Sequence, residues 1–293
     1  MKLFRAGGIV FRFHWTFVLL LFFLAFYGYL DEALILFGLV ILHEVVHMLV
    51  AKASGLAVGD VEIFPFGGVA RIEDALELDP QVESNVSLAG PLLNFFLVAV
   101  AIVLYANLPS WQQNETFLFF IRCNLVLGFF NLLPALPLDG GRILRARLAG
   151  TLGFQQATEL AIRLSQLISL LLFALGLYLF YLGHFHLTLF AAACFLYYGA
   201  EKERTVALYA FIRGLSRKKK VFYEQGVMPL TTLMALEDAL IKDLLRQFAM
   251  KKYHRVVVVS REGRVLGEAM ESDVLDTIMQ KGIGAAVKSV LPR

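Results

Sequence analysis

Apolar residues fall along this chain in runs long enough to cross a bilayer, separated by short polar breaks. A spanning helix needs about 17 to 25 mostly apolar residues. Six runs meet that length within a few residues: His14 to Leu30, Leu34 to Ala53, Ser84 to Ala106, Thr116 to Leu133, Leu164 to Leu182 and Phe185 to Ala200. The last two are separated only by the segment around Gly183 to His186, which predicts a tight helical hairpin. Beyond residue 200 the pattern changes. A basic stretch around Arg213 to Lys220 leads into amphipathic sequence that predicts a helix from Leu236 to Met250 and a β-branched strand from Val256 to Val259. A turn at Arg261 to Gly263, a short strand from Val265 to Gly267 and a helix near Ser272 to Gln280 follow. The predicted fold class is an α-helical polytopic membrane protein of about six transmembrane helices with a small C-terminal α/β domain. Its boundaries are 1–200 for the transmembrane domain, 201–223 for a basic linker and 224–293 for the cytosolic module.

Composition supports the membrane reading: 58% of residues are hydrophobic and 17% charged, against about 25% charged in soluble domains. The net charge of +3 is small for a nucleic-acid binder, and the distribution of basic residues has a better explanation. Lysine and arginine accumulate in loops on the cytoplasmic side of a membrane. Lys2, Arg5 and Arg12 precede the first span, Lys52 and Arg71 follow the second, Arg142, Arg145 and Arg147 follow the fourth, and Lys202, Arg204 and Arg213 follow the sixth. The intervening loops at Asp31 to Ala33, Asn107 to Glu115 and Gly183 to Phe185 contain neither residue type. Both termini are therefore expected in the cytoplasm of a multi-pass cell-membrane protein. Without a small-residue cleavage site, the first apolar run is expected to remain in the mature chain. Cys123 and Cys194, each within an apolar run, read as small buried apolar residues.

Inside the second run lies HEVVH, His43 to His47. Histidines four apart on a helix project from one face about one turn apart, as two ligands of one zinc ion require. Glu44 beside them can take a proton from a reacting water without being a ligand. The five-residue signature alone arises by chance in about one chain per hundred at ordinary residue usage. Its placement adds weight, because an ionisable residue in a bilayer helix costs at least about 2.5 to 3.5 kcal/mol and marks function more often than packing.

A catalytic zinc needs a third protein ligand and an open position. Asp139 is the best candidate, in NLLPALPLDGGRI from Asn131 to Ile143. Pro134 and Pro137 interrupt the fourth helix, and Gly140 and Gly141 allow a tight turn. Irregular backbone at membrane depth is tolerated where protein buries it or where it lines a watery cavity. The competing role for Asp139 is to cap the helix that follows. His14, His184, His186 and His254 lack a partner at comparable spacing.

An HExxH motif on an apolar helix together with an LDGG segment resembles the site-2 protease family of intramembrane zinc metalloproteases, over essentially the whole chain. Within that family the layout is most similar to the sporulation proteases of endospore-forming bacteria that process the precursor of sigma factor K. The resemblance implies zinc ligands His43, His47 and Asp139, with Glu44 as general base. It also implies a substrate that is a membrane-associated protein, here a sigma factor precursor, and inhibitory membrane proteins as partners. The location it implies is the membrane surrounding the forespore. IFPFGGVARI, Ile63 to Ile72, is similar to the family's re-entrant hairpin, so Phe66, Gly67, Gly68 and Val69 are candidates for lining the substrate's approach; the alternative is an ordinary interfacial turn. AGPLLNFF, Ala89 to Phe96, resembles the family's motif on the third helix. Asn94 and Asn131 then hold substrate backbone, with Pro134 and Pro137 beside them, or else link helices through amide hydrogen bonds.

VLGEAMESDVLDTI resembles the end of a CBS domain, with Gly267, Ser272 and Asp273 at the positions that meet nucleotide ribose in that family. ATP is the regulatory ligand this implies, and one unpaired copy implies a homo-oligomer; the alternative is a docking module. A competing function is a CBS-regulated transporter or channel using the His/Asp site for ion translocation. Glu44 beside the histidines and the lack of an evident internal repeat argue against it. A catalytically dead scaffold is disfavoured because every expected catalytic group is present.

Overall fold

The computed structural model describes residues 2–6, 9–13, 15–56, 58–64, 67–72, 79–108, 114–248 and 252–291. Strands β1 (Lys2–Ala6) and β2 (Ile9–Phe13) precede helices α1 (Trp15–Phe26) and α2 (Leu30–Ala53). A hairpin follows, β3 (Val58–Phe64) and β4 (Gly67–Ile72), then α3 (Pro80–Asn107), α4 (Glu115–Asn131), α5 (Asp139–Leu152), α6 (Phe154–Tyr181) and α7 (Leu187–Gln225). The C-terminal part comprises β5 (Leu230–Leu236), α8 (Ile241–Leu245), β6 (Tyr253–Val259), β7 (Val265–Met270), α9 (Glu271–Lys281) and a 3₁₀ turn at Val287–Val290.

Among the described residues, α2, α3 and α6 are long and apolar enough to cross a membrane, and α1 is a shorter apolar helix. Large apolar side chains such as Phe22, Leu170 and Tyr181 stand mostly exposed, as on a surface made for lipid. Contacts between helices combine apolar clusters, such as Phe17 and Met48 between α1 and α2, with small and polar groups. Ser169 on α6 donates to the Ala193 carbonyl of α7 at 2.7 Å, and Ala161, Ser165 and Gly176 are buried along α6.

The strands near the N-terminus form one sheet in the order β1-β2-β3-β4. β2 runs parallel to β3, with Phe11 opposite Val61, and β3 turns back onto β4, with Glu62 opposite Val69 and Phe64 opposite Gly67. β4 is thus an edge strand, and it runs alongside α2.

Several expectations are corrected. The fourth apolar run ends at Asn131, and after the loop 132–138 the chain forms α5, an additional helix of 14 residues. Residues 201–223 are not a linker but the continuation of α7, which is 39 residues long. Ala207, Phe211 and Leu215 recur every four residues, and they join Ile241, Leu245, Val256 and Val274 in a single apolar core. Burial of that stripe keeps the basic stretch helical. The helix expected from Leu236 to Met250 is instead the end of strand β5, a turn and the short α8, and residues 249–251 lie outside the described residues. Residues 230–236 alternate in exposure and pair in parallel with the β-branched run of β6. Cys194 is exposed and Cys123 half-buried, so neither is a core residue.

Candidate metal centre

Helix α2 carries His43 and His47 on its buried side, and their Nε2 atoms approach to 3.1 Å. Asp139, the first residue of α5, places Oδ2 at 3.1 Å from His43 Nε2 and 3.2 Å from His47 Nε2. Its carboxylate is committed to the histidines, and α5 has no side-chain cap. The backbone of loop 132–138 brings it there. The Leu136 N–H donates to Ser165 Oγ at 2.7 Å, and Gly140 and Gly141 allow α5 to start in direct contact with the backbone of Leu132 to Leu136, where any Cβ would collide.

The other ring nitrogens decide what these three atoms can do. Asn124 Nδ2 donates to the Phe120 carbonyl at 2.9 Å, which turns Asn124 Oδ1 toward Asn94 Nδ2 at 3.0 Å. Asn94 Oδ1 therefore faces His43 Nδ1, at 2.6 Å, and that nitrogen must be the donor. His47 Nδ1 is 2.6 Å from the Val86 carbonyl, an acceptor only, so it too carries its proton. In each neutral ring the Nε2 lone pair then points at the other and at Asp139 Oδ2. Three convergent lone pairs repel one another unless a cation lies among them. Ligand bonds of about 2.0 to 2.2 Å in a tetrahedral zinc site give donor separations of roughly 3.3 to 3.5 Å, close to the spacings observed. Two imidazoles held by hydrogen bonds at Nδ1, plus one carboxylate, are a donor set that fits zinc.

Gly90 on α3 leaves the room. A Cβ at that position would lie 2.6 Å from His43 Nε2 and closer still to His47 Nε2. Glu44, half-buried, follows His43 by one residue, about 100° round the helix from the ligand face.

The structure thus assembles His43, His47 and Asp139, and it brings Asn94 in with a different role from substrate holding. Both ends of the Asn94 amide are engaged, so it orients His43. Asn131 is turned back to the Leu127 carbonyl within α4. Pro134 is exposed, and Pro137 packs on α7 against Gly199. Gly67, Gly68 and Val69 open strand β4, while Phe66 lies outside the described residues. Ser272 and Asp273 sit in the first turn of α9, where Asp273 accepts from the Met270 N–H at 2.7 Å. Asn124, the Val86 carbonyl and Ser165 escape the reading of sequence. An asparagine within an apolar helix was the available signal for the first; a backbone carbonyl leaves none.

Comparison with known proteins shows the family. The model of peptidase family M50 matches residues 32–112 and 101–173. The chain is 28% identical to a zinc metalloprotease of Methanocaldococcus jannaschii over 91% of its own length and 77% of that protein's. It is also 28% identical to stage IV sporulation protein FB of Bacillus subtilis, over 85% of this chain and 84% of the relative. The solved structure of a site-2 protease from Methanocaldococcus jannaschii superimposes with a TM-score of 0.54 at 30% identity, covering 70% of this chain and 94% of that one.

Proposed function

The chain belongs to peptidase family M50, the site-2 proteases, and is a metalloprotease; from that premise we propose that it cleaves a membrane-associated protein within the bilayer, with His43, His47 and Asp139 holding Zn²⁺ and Glu44 as general base. The observation that carries this reading is the convergence of His43 Nε2, His47 Nε2 and Asp139 Oδ2 on one point beside Gly90, with Glu44 on the same helix.

Zinc bound there supplies Lewis acidity, polarising the scissile carbonyl and making water nucleophilic near neutral pH. Glu44 accepts the proton from the attacking water and returns it to the leaving amine. Asn94 and the Val86 carbonyl keep both imidazoles in the ligating tautomer through each cycle. A helical substrate hides its carbonyls in internal hydrogen bonds, so it must be extended to react. β4, as an edge strand beside α2, offers backbone groups with which an extended segment pairs, and Gly67, Gly68 and Val69 lie at the end of that edge. Shortening the β3–β4 turn is expected to stop cleavage while zinc stays bound.

The decisive experiment compares purified wild type and Glu44→Gln for zinc content and for cleavage of a membrane-anchored peptide. We expect equal zinc and a loss of about 10² to 10⁴ in rate; undiminished cleavage overturns the assignment. Similarity to a stage IV sporulation protein supports a sharper proposal, that the substrate is a sigma factor precursor in an endospore-forming bacterium and that small membrane proteins inhibit the enzyme. Co-expression with such a precursor, against the Glu44→Gln control, tests it. Six spans with both termini cytoplasmic follow from the basic-residue pattern, and labelling of engineered cysteines in the termini and loops tests that arrangement. For the C-terminal module we propose a CBS-like role in which Ser272 and Asp273 contact ATP and a second copy completes the site. Titration of ATP into the full-length protein, with Ser272→Ala as control, decides between that role and plain docking.

A further inference from the structure

We infer that Arg145 is a positioning residue for the metal centre: clamped between Glu83 of α3 and Glu203 of α7, it sets the register of α5 that delivers Asp139 to the two histidines. This deepens the metalloprotease reading and rests on it.

Among the described residues Arg145 is the largest fully buried side chain, 1% exposed, and Glu83 is 0% exposed. Its Nε donates to Glu83 Oε1 at 2.9 Å, and a second guanidinium nitrogen reaches the same oxygen. Its Nη1 lies 3.4 Å from Glu203 Oε2, and its guanidinium carbon stands 5.4 Å from the centre of the Phe154 ring. Arg142, one turn nearer Asp139, joins the same carboxylate of Glu203 at 3.4 Å. Fixing a guanidinium so completely requires each of its neighbours to be in place.

The spacing gives the clamp its purpose. Along α3, Glu83, Ser87, Gly90 and Asn94 recur at intervals of four, three and four, forming one buried stripe with Val86. That stripe meets α2 in opposite order: Val86 holds His47 and Asn94 holds His43, with Gly90 between them. Continuing the stripe beyond Val86 reaches Glu83. From Gly90 to Glu83 is seven residues, about 10.5 Å of helix, and from Asp139 to Arg145 is six, about 9 Å. The two lengths agree to within one residue's rise, so α5 laid against α3 with Arg145 on Glu83 has Asp139 near Gly90, at the metal. A slip of one turn, about 5.4 Å, carries the carboxylate out of ligand range. The apolar contacts of this short, weakly hydrophobic helix do not specify register so sharply, whereas a directional fork on a buried carboxylate does.

The test measures the metal directly, with detergent-solubilised full-length wild type, Arg145→Lys, Glu83→Gln and the milder Glu203→Gln. Zinc affinity is read by competition with a chromophoric chelator on the folded, monodisperse fraction. The visible spectrum of the cobalt-substituted protein reports ligand geometry. Arg145→Lys and Glu83→Gln are expected to weaken zinc by 10- to 100-fold, as loss of other orienting partners does, and to change the cobalt spectrum in the direction of Asp139→Asn. Glu203→Gln is expected to lose less, and it serves if the other two fail to fold. Wild-type affinity and an unchanged cobalt spectrum in the folded variants refute the positioning role while leaving the metalloprotease reading intact. A wild-type protein that binds no zinc removes that reading itself.

Discussion

Two sets of buried histidine and carboxylate in this chain are built in opposite ways. At the junction of α7 with the C-terminal module, Glu271 accepts from Lys218 Nζ at 2.9 and 3.0 Å, and His254 Nδ1 approaches it at 2.8 Å while its ring stacks on Phe248 at 4.5 Å. Each acceptor there faces a donor, and burial of the ammonium, which depresses the Lys218 pKa, is opposed by the carboxylate. At the candidate metal centre the donors are turned outward to Asn94 and Val86, and only acceptors face inward. Burial of a histidine beside a carboxylate is therefore not the mark of a metal site. The mark is that protons have been drawn away from the shared point by partners with no other way to bond.

The largest effect that separates the two sets is steric. Gly90→Ala places a methyl group where the lone pairs converge, so zinc binding and cleavage are expected to disappear together while the C-terminal junction keeps its stability. Zinc content by atomic absorption and the thermal midpoint of the same sample give both halves of the answer. Retention of stoichiometric zinc in Gly90→Ala would falsify the placement of the metal beside α3.

Glu271→Gln tests the other side. It leaves the Lys218 charge buried without its counter-charge, and breaking such a pair costs about 3 to 5 kcal/mol. A lowered midpoint in chemical denaturation, with zinc affinity unchanged, is the expected outcome; lost zinc with preserved stability contradicts the structural role given to this cluster.

Much of this contrast was legible in residue order, and the remainder was not, for physical reasons. His43 and His47 announce themselves because their spacing equals the helical repeat, and Asp139 because prolines and glycines break an apolar run around it. Asn94 also stands out, but whether an amide meets substrate or imidazole depends on which helix lies opposite, which spacing within one helix does not encode. The Lys218 to Glu271 contact spans 53 residues, and in sequence Lys218 is one of a run of basic residues with the look of a solvated linker. Strands β1 and β2 are five residues each, too short to separate from the flank of the first apolar run; β1 takes its shape from pairing with β2, and β2 from pairing with β3 as well.

Asn94→Ala is the next smaller step. It removes the acceptor that fixes the His43 tautomer yet leaves all three ligands in place, so a 10- to 100-fold loss of zinc affinity is expected rather than abolition. Chelator competition measures it, and Asn94→Asp, which keeps an acceptor toward Nδ1, should recover most of the loss. If Asn94→Ala instead binds zinc normally but fails to bind substrate, the amide belongs to the substrate and the orienting role is withdrawn.

The smallest effect belongs to an ion pair that shares the cation–carboxylate chemistry of the Lys218–Glu271 set but not its burial. Arg261 Nε donates to Asp238 Oδ2 at 2.9 Å on the surface of the C-terminal module, and this holds the Asp238 pKa below its ordinary value. A carboxylate whose folded pKa is depressed contributes stability above its unfolded pKa of about 3.9 and loses it as pH falls through the folded value. Because both groups are exposed, solvent and salt screen the contribution. Asp238→Asn is accordingly expected to shift the thermal midpoint at pH 7 by little, less still at high salt, and not at all once the pH is below the folded pKa. A shift approaching that of Glu271→Gln would mean that partner geometry, and not removal from water, separates the strong cluster from the weak pair.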